Sequence, residues 1–188
     1  MSSQTDAVAA AAIDLANAVA ASATDPADRI RLLLPLASWV APTIPGNGPL
    51  SALAQTAQDA IASAVRCAAC GALAQATAAY QPLSYQDAMA VRQAVCAALD
   101  AEATRCADAN RVASYDALTD LRVAVAADLE QRGAALAWLV EVTTAQSMPS
   151  LAEAFSLYGD TTREPQLVAS AAIRHPLFMP LDFVALNE

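Results

Sequence analysis

The stretch LSALAQTAQDAIASAVRCAACGALAQATAA, residues 50–79, decides the fold class of this chain. Its larger apolar residues mark one side of a helix: Leu53, Ile61, Val65 and Leu73. Alanine, the strongest helix former, fills most of the positions between them, and no apolar alternation of period two interrupts the pattern. The stretch therefore predicts one long helix, with small side chains that let neighbouring helices approach closely.

Similar helical patterns extend to both sides of this stretch. Asp25 before Pro26 predicts a helix start, with Asp25 as the N-cap. Ser84 and Ser114 predict two further helix starts, and apolar spacing favours a shorter helix over residues 134–144. We therefore predict a mainly α fold, an alanine-rich helical bundle with an N-terminal helical arm and an extended C-terminal tail.

The segment PTIPGNGP, residues 42–49, predicts a loop or linker, because it contains three prolines and two glycines. We place a domain boundary in this segment. In this interpretation, residues 1–45 form the N-terminal helical arm. Residues 46–188 form the helical bundle and its C-terminal tail.

The most apolar part of the chain is the leucine-rich helix that follows Pro26, in which Pro35 is expected to kink or end the helix. This helix has two interpretations, a core element or a contact surface for a partner chain. The apolar C-terminal tail is the second candidate contact surface, because an extended segment can add to a neighbour's surface or sheet edge. Together the two segments contain seven candidate contact residues: Leu32, Leu33, Leu36, Trp39, Leu177, Phe178 and Phe183.

The charge composition argues against direct binding of nucleic acid. The net charge is -9, and all ten basic residues are arginines scattered along the chain. Phosphate binding needs clustered basic side chains. The alanine run over residues 7–23 is interrupted by Asp14 and Asn17, and it lacks the positive start of a signal peptide. We therefore expect neither a membrane segment nor a targeting signal.

The four cysteines allow three interpretations besides inert core thiols. Cys67 and Cys70 form a CxxC motif, with Cys96 and Cys106 later in the chain. A zinc site usually takes two close pairs, whereas the second pair here is ten residues apart. A redox CxxC needs a helix N-terminus, and this one lies inside the predicted helix. A disulfide between adjacent helices, such as Cys67 or Cys70 with Cys96, stays open. We favour small buried thiols and predict no metal, no cofactor and no catalytic residue.

Residues 148–180 are the most distinctive part of the sequence. Ser150 and Glu153 have the spacing of a capping box at a helix start, and Gly159 predicts the end of that helix. Asp160 or Thr161 can cap the next helix, and Asp160 could also form an ion pair with Arg163, three residues later. A second helix is expected after it, ending at Pro176.

The single histidine, His175, lies between Arg174 and Pro176. With no second histidine there is neither a histidine metal cluster nor a pair for acid–base relay. We interpret His175 as a structural hydrogen-bonding residue rather than a catalyst.

This part of the chain resembles a known phage protein family. The order Leu-Tyr-Gly-Asp-x-x-Arg, then Ile-Arg-His-Pro-x-Phe-x-Pro, is similar to the C-terminal end of the Mu-type phage DNA circularisation (DNA circulation) protein, a component of the contractile-tail baseplate hub. The matching positions include Tyr158, Gly159, Asp160, Arg163, Arg174, His175 and Pro176. The family usually has Asn just before the Ile-Arg-His-Pro run, where this chain has Ala171 and Ala172, and Gly after it, where this chain has Leu177. The resemblance covers about residues 112–188.

The resemblance implies a structural virion protein of the tail baseplate or hub, made in the host cytoplasm. Such a protein would form a ring of three or six copies, or a multiple, with other tail proteins such as tube, hub or tape-measure subunits. An alternative class is a free-standing helical adaptor or assembly chaperone that binds a partner helix in a groove. The third class, an enzyme, would require a bound metal or cofactor, for which the sequence offers no strong site.

Overall fold

The computed structural model describes the backbone of residues 2–187 and the side chains of residues 4–187. It is 69% helical, which confirms the predicted mainly α class. Within these residues the α-helices, numbered in chain order, are α1 (Ser2–Ala21), α2 (Pro26–Ala37), α3 (Pro49–Ala79), α4 (Tyr85–Asp108), α5 (Val112–Gly133), α6 (Ser150–Tyr158) and α7 (Glu164–Ala171). A short 3-10 helix covers Thr161–Arg163, and the two strands are β1 (Leu139–Thr143) and β2 (Asp182–Leu186).

The chain divides into two compact units that do not follow the predicted boundary after residue 45. Unit 1 takes the residues up to Gln81 together with Met89–Gln131. Unit 2 takes Pro82–Ala88 and the residues from Arg132 onward. The predicted N-terminal arm therefore belongs to unit 1, because α1 and α2 pack on each other and on α3.

Unit 1 is built around a core of leucines and small residues drawn from all five of its helices. Four leucines in this core have no exposed surface: Leu33, Leu73, Leu99 and Leu129. Alanines and Cys70 fill the space between them. The small side chains allow close packing of the helices, as the composition predicted.

Helix α2 begins as the sequence predicts. The Asp25 carboxylate accepts a hydrogen bond from the Ala27 N–H at 3.0 Å, and Pro26 occupies the first turn. The helix continues through Pro35 and ends at Ala37. Pro35 lies in the last turn, where its missing N–H removes one hydrogen bond and the helix stops within half a turn.

Unit 2 combines two short helices with a two-stranded antiparallel sheet. Strand β1 pairs with β2 from Leu139 opposite Leu186 to Thr143 opposite Asp182. The predicted helix over 134–144 is therefore wrong. The run Val140–Thr144 is rich in β-branched residues that favour strands, and the tail supplies the partner strand. The tail, predicted to be extended, folds back within its own unit.

Helix α3 is long and apolar enough to cross a membrane, judged by length and composition only. Its most apolar 18-residue window has a mean hydropathy of 1.2, and 56% of that window is buried inside the protein. The core helix of a soluble protein passes the same test. The absence of a membrane segment stays a prediction.

Candidate functional site

The centre of unit 1 contains a buried ionic cluster around Glu102, which has no exposed surface. Arg66, on the facing helix α3, donates from Nε to Glu102 Oε2 at 2.5 Å. Ser63, also on α3, donates to Oε1 at 3.0 Å. Arg105 lies one turn further along α4 and donates to Oε2 at 3.3 Å. The carboxylate is therefore neutralised and fully hydrogen-bonded, as a buried charge requires.

The cluster extends to two loops of the same unit. Arg66 donates from Nη1 to the carbonyl of Trp39, just after α2, at 3.1 Å. Arg111, between α4 and α5, donates from Nη1 to the Ser63 hydroxyl at 2.5 Å. The turn before Arg111 is fixed by a left-handed residue, Asn110, with φ of 54°. The network thus joins α3, α4 and the segments that follow α2 and α4.

Two thiols complete the cluster. The Sγ atoms of Cys67 and Cys106 lie 3.7 and 4.0 Å from Glu102 Oε1. Burial, together with the negative charges nearby, raises the pKa of Cys67 to about 11 and that of Cys70 to about 12. Cys67 and Cys70 are therefore protonated at neutral pH, and neither is an activated nucleophile.

The two cysteines of the CxxC motif have different surroundings. The motif lies in the middle of α3, as predicted. Cys67 faces Glu102, whereas Cys70 belongs to the apolar core. All four cysteines are free thiols. Cys96 lies apart, with its Sγ 4.0 Å from the Arg122 carbonyl.

Sequence reasoning missed this cluster, although α3 carried a signal for it. Asp59 and Arg66 are the two charged residues in the 31 residues of α3, and Arg66 lies among apolar neighbours. A lone charge on the buried side of a helix needs a buried partner. The partner, Glu102, is 36 residues away on another helix, so no local spacing could identify it.

Helix α1 buries two of its alanines and leaves three of its four larger apolar side chains exposed. Ala12 and Ala16 are buried, whereas Val8 and Leu15 on one flank and Ile13 on the other are 40–52% exposed. The second flank borders the α1/α3 groove, a cavity of about 490 Å³. Its lining includes Ala9, Ile13 and Asn17 from α1 and Cys67, Gly71 and Gln75 from α3.

The seven predicted contact residues separate into exposed and buried sets. Leu33 is fully buried and Phe183 is 6% exposed, so the prediction that they form a contact surface is wrong. Leu33 belongs to the core of unit 1 and Phe183, on β2, to the core of unit 2. The exposed residues are Leu32, Trp39, Leu177 and Phe178, and Leu36 is half-buried.

The Tyr-Gly-Asp-x-x-Arg motif forms a tight helix-to-helix turn in unit 2. Gly159 adopts a left-handed φ of 68° and its N–H closes α6 on the Phe155 carbonyl. Asp160 accepts hydrogen bonds from the Thr162 hydroxyl at 2.7 Å and from the Thr162 N–H at 2.8 Å, the latter as an N-cap does, and these two bonds lower the pKa of Asp160. Arg163 lies over the Tyr158 ring at 3.9 Å and donates from Nε to Gln166. The predicted Asp160–Arg163 ion pair does not form within contact distance.

The Arg-His-Pro segment fixes the start of α6 through its backbone. The Pro176 carbonyl accepts from the Ser150 N–H at 2.7 Å, and the His175 carbonyl accepts from the Phe178 N–H at 3.1 Å. Within residues 4–187 the side chains of Arg174 and His175 are exposed and make no hydrogen bond. The structural role predicted for His175 is thus carried by its backbone. Helix α7 ends at Ala171, ahead of the predicted stop at Pro176.

The predicted capping box of α6 is wrong. Pro149 occupies the N-cap position, and the Ser150 hydroxyl donates to Glu164 Oε1 at 2.6 Å. Glu153 is instead buried, and its Oε1 has no hydrogen-bond partner. Burial raises the pKa of this carboxyl above its usual range. Tertiary burial of the start of α6 has therefore overridden the local cap.

Glu153→Gln is expected to stabilise unit 2 at pH 8 by about 1–3 kcal/mol, because an ionised carboxylate without a hydrogen-bond partner costs more to bury than a neutral amide. Because the folded-state pKa of Glu153 is raised, its protonated form favours folding at low pH and this advantage is lost as pH rises through that pKa. The gain should therefore vanish near pH 4. Urea unfolding at both pH values measures it, with the exposed Glu141→Gln as control. An equal effect of the two substitutions at pH 8 would contradict the assignment.

No protein-family model and no curated protein matches this chain. The function is therefore inferred from the residues and their geometry, together with the resemblance of the C-terminal segment.

Proposed function

We propose that this chain is a structural virion protein of a contractile phage tail, located in the baseplate or tail hub. It acts by assembly with tube, hub or tape-measure proteins rather than by catalysis. It takes part as a homo-oligomer in a multiple of three or six copies, and it does not bind nucleic acid directly.

The exposure of helix α1 carries the proposal of an assembly role. Large apolar side chains normally occupy the core, and helices that are apolar on several sides are normally buried. In α1, Val8, Ile13 and Leu15 are instead 40–52% exposed, whereas only Ala12 and Ala16 are buried. A neighbouring subunit that covers α1 would remove this apolar surface from water.

Two further apolar surfaces support the same class of function. In unit 1, Leu32 on α2 is exposed, as are Trp39 and Val40 just after this helix. In unit 2, Leu177 and Phe178 are exposed at 67% and 74% next to the His-Pro turn. Clusters of exposed apolar side chains mark interaction surfaces.

The particular setting, a contractile tail, rests on the resemblance over residues 112–188. The matching Tyr158, Gly159 and Asp160 form the turn between α6 and the 3-10 helix, and Pro176 holds the start of α6. These are roles in the local fold. The resemblance then implies that the C-terminal segment has the same fold as in that family and contacts the same kind of tail partners.

A free-standing helical adaptor or assembly chaperone is the second candidate. The α1/α3 groove, which is lined mainly by small residues, four of them alanines, is the observation that favours it. A partner helix with small residues on one face could lie in such a groove. An adaptor would remain a monomer or dimer and would not enter the particle.

The deciding experiment combines light scattering of the purified chain with mass spectrometry of intact virions that encode it. Presence in the particle at a low multiple of three or six copies supports the tail assignment. A stable monomer or dimer in solution, together with absence from the particle, overturns it in favour of the adaptor.

Ile13→Asp and Leu15→Asp are expected to block incorporation into the particle while changing the free energy of unfolding by only about 0.5 kcal/mol, as exposed substitutions do. A buried charge in a subunit interface is costly. Val123→Asp, at an exposed position of α5, is the matched control. Virions from complementation with each variant are assayed by mass spectrometry. Normal incorporation of both α1 variants would contradict an interface on α1.

A further inference from the structure

We propose that Cys67, Cys106 and Glu102 form a binding site for a thiophilic divalent cation of the Zn²⁺ type. One ligand atom from each residue, two thiol sulfurs and a carboxylate oxygen, lies within 4.8 Å of the other two. Tetrahedral zinc, with Zn–S near 2.3 Å and Zn–O near 2.1 Å, sets such atoms about 3.5–3.8 Å apart. Rotamer adjustments of about 1 Å therefore convert the cluster into a three-ligand site. This inference is independent of the proposed tail function.

Two regular helices hold the three ligands. Glu102 and Cys106 are four residues apart on α4 and share one face of that helix. Cys67 comes from α3, and its Sγ and that of Cys106 approach the same carboxylate oxygen, Oε1. Ligands on rigid helices are positioned more accurately than ligands on loops.

The arginines orient the carboxylate. Arg66 Nε and Arg105 Nη1 both bind Oε2, which directs Oε1 towards the two thiols. Ser63 donates to Oε1 at 3.0 Å and Arg66 Nη2 lies 3.4 Å from it. Such outer contacts hold a ligating carboxylate in place in metal sites.

Charge balance selects a divalent ion despite the arginines. Binding releases one proton from each of the two thiols, so two positive charges leave as one M²⁺ arrives. The net charge of the cluster is unchanged, and the Glu102 carboxylate stays paired with Arg66 and Arg105. Sulfur ligands exclude Mg²⁺ and Ca²⁺, which prefer oxygen, and select zinc-like ions.

The α1/α3 groove gives access to the site. Cys67 lines this groove, whereas Glu102 and Cys106, on the other side of the Cys67 thiol contacts, are buried. An ion can therefore reach Cys67 from solvent, and a water molecule or a partner's side chain can occupy the fourth coordination position from the groove side. Sites with three protein ligands and one open position are a common zinc arrangement.

The test uses the full chain, reduced and stripped of metal with a chelator. Zn²⁺ is titrated by calorimetry, and Cd²⁺ is titrated by its thiolate charge-transfer absorption. We expect one ion per chain, a Cd–thiolate band, and a rise in the Tm of the wild-type protein with Zn²⁺. Cys67→Ser and Cys106→Ser should each lower the affinity at least about tenfold, the lower end of the loss seen when even a supporting residue of a metal site is removed.

Cys96→Ser is the matched control, since Cys96 lies outside the cluster, and it should bind as the wild type does. Circular dichroism checks that each variant is folded. The Tm shift of the wild-type chain needs no variant, so it tests the site even where a serine variant does not fold. Absence of uptake by the reduced wild-type chain overturns the proposal, as does uptake that survives both Cys67→Ser and Cys106→Ser.

Discussion

Replacing Glu102 by alanine is expected to lower the free energy of unfolding of unit 1 by about 3–5 kcal/mol, the cost of removing one partner from a buried ion pair. The substitution leaves the Arg66 guanidinium, whose side chain is 9% exposed, without its carboxylate. Arg105 and the Ser63 hydroxyl lose the same acceptor. The loss arises from an uncompensated buried charge rather than from a lost methylene contact.

The exposed pair Arg92–Glu130 provides the matched control. Its nitrogen and oxygen are 2.9 Å apart, but the side chains are 36% and 67% exposed. Glu130→Ala should therefore cost less than about 1 kcal/mol, as for surface pairs. Replacing both buried partners, as Arg66→Met with Glu102→Leu, should recover much of the loss, because apolar residues of similar volume satisfy a buried site.

Each unit contains one of the two tryptophans, Trp39 in unit 1 and Trp138 in unit 2. Urea unfolding followed by fluorescence in a Trp138→Phe background therefore reports unit 1. Equal costs for Glu102→Ala and Glu130→Ala in this assay would show that Glu102 is not a buried ion-paired residue. The same conclusion would follow if the Arg66→Met/Glu102→Leu double variant lost as much stability as Arg66→Met and Glu102→Leu lose together when made singly.

Leu33→Ala is expected to destabilise unit 1 by about 2–5 kcal/mol, whereas Leu32→Ala should cost less than about 1 kcal/mol. The two leucines are adjacent in α2, yet Leu33 is fully buried and Leu32 is 43% exposed. Truncating Leu33 removes buried apolar surface and leaves a cavity in the core around Leu73 and Leu99. Truncating Leu32 removes surface that water already reaches.

Urea unfolding of the two variants measures this difference in stability. Virion incorporation measures the effect of each substitution on assembly. Leu32→Ala should leave the chain folded but weaken assembly if a partner covers the exposed side of α2. A stability loss shared equally between the two positions would contradict the burial pattern of α2. The comparison thereby separates a core function from a contact function within one leucine-rich helix.

The sequence predicted those features that depend on neighbouring residues. The start of α2 at Asp25–Pro26, the long α3 and the left-handed stop at Gly159 were all identified correctly. Helix caps, helix propensity and left-handed glycines act over four or five residues, so a local pattern contains the information. The mid-helix position of Cys67 and Cys70 follows for the same reason.

The features that the sequence alone did not determine depend on residues that are distant in the chain. Strand β1 forms because β2 lies some 40 positions later and pairs with it, and tertiary burial takes Glu153 out of its predicted cap. Arg66 on α3 forms a hydrogen bond with Glu102 on α4, and Cys67 on α3 lies close to Cys106 on α4. Local energies of a few tenths to about 1 kcal/mol are outweighed by burial and by the pairing of buried charges. Local sequence patterns thus determined the helical class. Only the tertiary structure brought the ionic cluster together and decided which leucine of α2 faces the core.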